Sequence, residues 1–125
     1  MTDNIEPGKE SHPRLFSLLQ LLDNYPSDPF SHYAVALEYR HINPDKAIYY
    51  FNELINRFPD YLPAYYPAAL FFNEQNYEDK AIALWLQGIA LAKAQGNLKT
   101  ARELQSAMDI NSWIMPKRAP RRYWV

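Results

Sequence analysis

The chain of 125 residues contains no Cys and only three Gly. Without cysteine there is no disulfide framework, no thiolate metal site and no Cys nucleophile. So few glycines argue against a sheet protein, whose tight turns ask for residues that tolerate positive φ. No run of alternating apolar and polar residues is long enough for a strand, and no apolar run approaches the ~18 residues needed to cross a bilayer. Charge of one sign is also missing overall: 13 Lys and Arg face 14 Asp and Glu, a net of −1, which excludes a globally basic nucleic-acid binder. The polar, acidic start lacks the basic residues and apolar stretch of a secretory signal, so a cytoplasmic location is expected.

What is present is proline, tyrosine and an apolar content of 48%, sufficient for a core in a single domain. Proline acts as punctuation. Leu15, Leu18, Leu19 and Leu22 recur at helical spacing, and Pro26 lies just past them. Asp28-Pro29 and Asn43-Pro44 each read as an N-cap followed by a first helical residue, where the missing N–H of proline costs nothing. The spacing predicts six helices, over about 14–25, 29–42, 44–58, 63–74, 77–94 and 99–109. Asn76 is expected to cap the fifth and Asn97 the sixth, with Gly96 closing the fifth. Pro67 follows Pro63 by four residues, so either the fourth helix starts late, near Tyr66, or its first turn is kinked.

The sequence repeats itself. A shift of 33 sets Leu22 on Ile55, Tyr25 on Phe58, Pro26 on Pro59, Tyr33 on Tyr66, Ala36 on Ala69 and Tyr39 on Phe72. Past the next turn the shift becomes 34, setting Asp45-Lys46-Ala47-Ile48 on Asp79-Lys80-Ala81-Ile82 and Phe51 on Trp85. A two-helix unit repeating at this period is the signature of a helical solenoid. Small residues (Ala36, Ala47, Ala69, Ala81) let paired helices approach, and large ones (Tyr39, Phe51, Phe72, Trp85) fill the space beside them.

These positions resemble the tetratricopeptide repeat, as found in small bacterial proteins of two or three repeats. One copy reads His32-x-x-Val35-Ala36-x-x-Tyr39, then Ala47-x-x-x-Phe51 and Pro59; the other reads Tyr65-x-x-Ala68-Ala69-x-x-Phe72, then Ala81-x-x-x-Trp85. Lys93 replaces the second closing Pro, and Gln105 stands where a third unit would place a large apolar residue. A generic six-helix bundle and an RNA-reading pentatricopeptide array account less well for these matches. The resemblance covers about residues 15–105 and implies an all-α, right-handed α-α superhelix of stacked antiparallel helix pairs; with composition, this divides the chain into a polar segment at 1–13, the helical domain at 14–110 and a basic, aromatic tail at 111–125.

The family resemblance also implies a non-catalytic adaptor or scaffold that grips a peptide or helix in the groove lined by the first helix of each pair. The groove residues are then Phe30, Tyr33, Leu37, Arg40 and His41 on one helix, and Tyr66, Leu70 and Asn73 on the next. Packing against a neighbouring repeat is the competing role for the apolar ones, above all Leu37 and Leu70. Tyr33, Leu37, Tyr66 and Leu70 replace the basic and amide clamp by which some members hold a terminal carboxylate, so no such clamp is expected. Self-assembly through groove or tail is the alternative function.

The tail is the second feature. Residues 1–110 hold 14 acids against 9 bases, whereas 111–125 hold four bases and no acid. Trp113, Ile114, Tyr123 and Trp124 are costly to leave in water, so Trp113, Arg121, Arg122, Tyr123 and Trp124 are docking candidates, on the body or on a partner. Nucleic acid and membrane are not favoured, because four bases are few and the body is acidic. No enzyme, cofactor or metal is expected: His12, His32 and His41 lack metal-ligand spacing, His32 reads as a half-buried packing residue, and no serine sits in a nucleophile context.

Overall fold

A computed structural model describes residues 11–111. Within them lie six α-helices, α1 (Pro13–Asn24), α2 (Pro29–Tyr39), α3 (Pro44–Arg57), α4 (Tyr65–Glu74), α5 (Glu78–Ala94) and α6 (Leu98–Asp109), with a 3₁₀ turn at Leu62–Ala64 ahead of α4. No strand occurs among the described residues. The helices form two compact units, α1–α3 ending at Pro59 and α4–α6 beginning at Asp60.

The first unit is organised by its turns. Asp28 accepts the Phe30 N–H at 3.0 Å and Asn43 accepts the Lys46 N–H at 3.3 Å, so both Asx-Pro pairs start helices as expected. Ser31, fully buried, places its hydroxyl 2.7 Å from the Tyr25 carbonyl and 2.8 Å from that of Asp28. His32 is buried rather than half-buried, and its Nε2 donates to the Pro26 carbonyl at 2.7 Å. Two side chains of α2 therefore tie down the turn from α1. Helix α2 stops at Tyr39 rather than near Ile42, because the Tyr39 carbonyl takes the N–H groups of both Ile42 and Asn43, closing the chain into a turn. Ala36 on α2 and Ala47 on α3 are fully buried at the crossing. The Tyr39 ring stacks on Tyr50 at 5.5 Å, with the Lys46 ammonium 5.7 Å from its centroid.

The second unit repeats this pair. Ala69, Ala81, Phe72 and Trp85 are buried, and Lys80 lies 5.7 Å from the Phe72 centroid, as Lys46 does from Tyr39. The 3₁₀ turn resolves the two-proline question in favour of a separate start: α4 begins at Tyr65, so Pro67 falls in its first turn, where an N–H has no intrahelical acceptor to lose. Asn76 does not cap α5. It closes α4 with φ 70°, its N–H bonding to the Asn73 carbonyl while the Tyr77 N–H reaches back to Phe72 at 2.8 Å. Gly96, with φ 75°, makes the same two bonds at the end of α5, to Lys93 and Ala92. Both are Schellman closures, and asparagine is the residue after glycine that best tolerates the left-handed conformation. Asn97 then caps α6 as expected, accepting from the Thr100 N–H at 3.0 Å.

Candidate functional site

On α2, Phe30 is 52% exposed and its ring lies 6.4 Å from that of Tyr33. Tyr33 and Leu37 are half-buried one and two turns further on. Arg40 turns its Nε back to the Leu37 carbonyl at 3.1 Å, so this cation completes the end of its own helix. His41 is exposed in the following turn.

On α4, Tyr66 is 43% exposed, and its ring meets the buried Trp85 edge to face at 5.4 Å. That contact fixes the inner side of the ring and leaves the outer side to solvent. Leu70 is half-buried. Asn73 differs from the expectation: it is only 8% exposed and offers a ligand little surface.

A cleft of about 600 Å³ joins Tyr66 to Lys99, Arg102, Glu103, Ser106, Ala107 and Ile110, all on or just beyond α6. The α6 residues were not among the sequence candidates. The repeat carried their signal, because a shift of 33 sets Tyr66 on Lys99, Leu70 on Glu103 and Asn73 on Ser106. Lys99 is held by Glu103 one turn on, at 2.7 Å. Arg102 has no ion-pair partner among the described residues. The cleft therefore combines an exposed aromatic face, the apolar Ile110 and Ala107, and a surplus of positive charge.

The other clefts differ in character. In the first unit, one of about 300 Å³ is lined by Leu22, Asp23, Pro26, His32, Tyr49, Tyr50, Glu53 and Arg57. In the second, one of about 290 Å³ lies between α5 and α6. At the foot of α4, burial raises the Tyr65 phenol pKa and the Asp60 carboxylate adds to the shift. Among the described residues no group of three His, Asp or Glu is placed to hold a metal ion, and no helix is long and apolar enough to cross a membrane. The tail candidates Trp113, Arg121, Arg122, Tyr123 and Trp124 lie outside the described residues.

No family model matches this chain, and none of the curated proteins matches it. Solved structures do. The solution NMR structure of a tetratricopeptide repeat domain protein from Salinibacter ruber is similar at 36% identity and a TM-score of 0.65, over 70% of this chain and 89% of that one. A crystal structure of a tetratricopeptide repeat domain protein from Salinibacter ruber is similar at 36% identity and a TM-score of 0.63, over 69% of this chain and 98% of that one.

Proposed function

Because this chain belongs to the tetratricopeptide repeat family, we propose that it is a non-catalytic interaction module that holds a peptide or helix of another protein. Its all-α repeat fold is the one expected from the matched Pro, Ala and aromatic positions. The observation that carries the proposal is the cleft between Tyr66 and α6. Aromatic and Arg side chains supply binding energy because they bring large contact area or forked donors at low entropic cost. Tyr66 is held from behind by Trp85, so little freedom is left to lose on binding.

The chemistry of the cleft favours a segment with an acidic side chain beside an apolar one. Arg102 would meet the acid, while Tyr66, Ala107 and Ile110 would meet the apolar group. Phe30, Tyr33 and Leu37 on α2, Arg40 and His41 in the turn that follows it, and Leu70 on α4 are proposed as further contacts. Asn73 is left out because it is buried. We assign the module no catalytic residue, metal or cofactor, and a cytoplasmic setting.

Capture of partners from cell extract tests the proposal. Wild type is compared with the double variant Tyr33→Ala plus Tyr66→Ala, with folding of the variant checked by circular dichroism. Loss of captured proteins by the folded variant is expected; equal capture would remove these residues from the site.

A further inference from the structure

Among the described residues, each helix that opens a pair is covered by the helix that follows it, except α6. In the first unit α3 covers α2: the Phe58 ring, at the end of α3, lies 5.3 Å from His32, and Tyr50 stacks on Tyr39 at 5.5 Å. Two steps of the repeat carry His32 to Leu98, Val35 to Ala101 and Tyr39 to Gln105, all on α6. For the helix before it, a step of 33 and then one of 34 carry Leu22 to Ile89 and Pro26 to Lys93. These five α5 and α6 positions, with Arg102, line the cleft of about 290 Å³. His32 is 5% exposed under its cover, whereas its equivalent Leu98 is 56% exposed. The chain continues for 14 residues past Asn111, beginning Ser112-Trp113-Ile114-Met115-Pro116.

We propose that this segment of the same chain, Trp113 to Lys117, lies back along α6 and fills the α5–α6 cleft, taking the place that a third covering helix would hold. The reach fits. Leu98 stands 13 residues before Asn111, about 20 Å along a helix at 1.5 Å per residue. An extended return at ~3.3 Å per residue covers that distance in about six residues, so Ile114 comes abreast of Gln105 and Lys117 abreast of Leu98. Pro116 and Pro120 suit an extended path and oppose a helix. Trp113, Ile114 and Met115 supply uncharged apolar groups for the cleft, in which Leu98 is the exposed apolar side chain while Ile89 and Ala101 are buried. The first base, Lys117, comes only after them, abreast of Leu98 at the end of the cleft, and the three arginines follow beyond it. Covering this side of α6 also takes Leu98, 56% exposed, out of water.

The absence of cysteine gives a direct test, since two introduced thiols have only each other to react with. The full chain carrying Leu98→Cys with Lys117→Cys is compared with one carrying Lys99→Cys with Lys117→Cys. The two pairs enclose nearly the same loop length, but Lys99 lines the Tyr66 cleft and Leu98 the α5–α6 cleft. Under dilute oxidation the first pair is expected to close within one molecule about tenfold faster than the second. Adding Trp113→Ser to the first pair should abolish that advantage. Equal rates, a faster second pair, closure only between molecules, or an advantage that survives Trp113→Ser would each overturn the proposal.

Discussion

Gly88 of α5 lies directly against Tyr65 of α4: a Cβ added to Gly88 would sit 2.9 Å from the Tyr65 Cβ and 3.1 Å from Leu104 Cδ1 of α6. Three helices thus converge on a point where one of them has no side chain. The Tyr65 Cβ is fixed to its backbone and cannot swing aside, so a methyl group at Gly88 must push α4 and α5 apart. In the first unit the equivalent residue is Leu54, so the second unit achieves its close approach by deleting a side chain rather than filling the space.

Gly88→Ala is therefore expected to destabilise the protein by about 1–3 kcal/mol through overpacking, although alanine is the better helix former by about 1 kcal/mol. Urea denaturation measures the change; unaltered or increased stability would contradict the close approach. Gly96→Ala isolates a different cause. Nothing lies within 4 Å of its added Cβ, but φ is 75°, so a cost of about 1 kcal/mol is expected from the backbone alone.

Asn76→Gly should leave stability unchanged or raise it by a few tenths of a kcal/mol, because the position demands a left-handed backbone. Asn76→Val should lower it by about 1–2 kcal/mol. If Asn76→Val were as stable as wild type, the Schellman closure of α4 would be wrong.

Helix positions were legible in the sequence because proline and Asx residues mark boundaries through local backbone chemistry. The repeat was legible because each Ala and its large neighbour meet the same requirement twice. Asn76 was misassigned for a physical reason: asparagine serves both as an N-cap and as the residue that closes a helix at positive φ, and only the backbone angle separates the roles. Gly88 gave no signal, since its meaning lies in Tyr65 and Leu104, distant in sequence. On the candidate site, Tyr66 is legible from the repeat, whereas Lys99 and Arg102 stand at repeat positions whose side chains differ from those of the earlier copies. Gln105 made α6 look like a degenerate unit, although its face toward α4 keeps the repeat register.

Trp85 is fully buried, and its Nε1 has no hydrogen-bond partner among the described residues. Trp85→Phe removes that orphaned donor along with some packing, and Phe51 shows that the repeat accepts phenylalanine there. The two effects oppose, so a net change within about 1 kcal/mol is expected, against about 3–5 kcal/mol for Trp85→Ala. A loss for Trp85→Phe of about 2 kcal/mol or more, measured by thermal or urea unfolding, would show that the indole N–H is satisfied.

Burial, reinforced by Asp60, holds the Tyr65 phenol above its ordinary pKa of 10.0. The unfolded chain then releases this proton first. The contribution to stability is complete below about pH 10 and is lost as pH rises through the folded-state value. Tyr65→Phe should flatten the alkaline fall in stability relative to wild type, and Asp60→Asn should lessen it in part. An identical alkaline slope in Tyr65→Phe would show that this phenol does not titrate differently on folding.

The central claim is that the Tyr66 face of α4 and the cations of α6 grip another polypeptide. Its most direct test is the dissociation constant of a peptide selected on the full chain from a random library, measured against Tyr66→Ala and Arg102→Glu. Each substitution is predicted to weaken binding about tenfold or more, with Arg102→Glu also reducing the salt dependence. Undiminished affinity in both folded variants would contradict the claim.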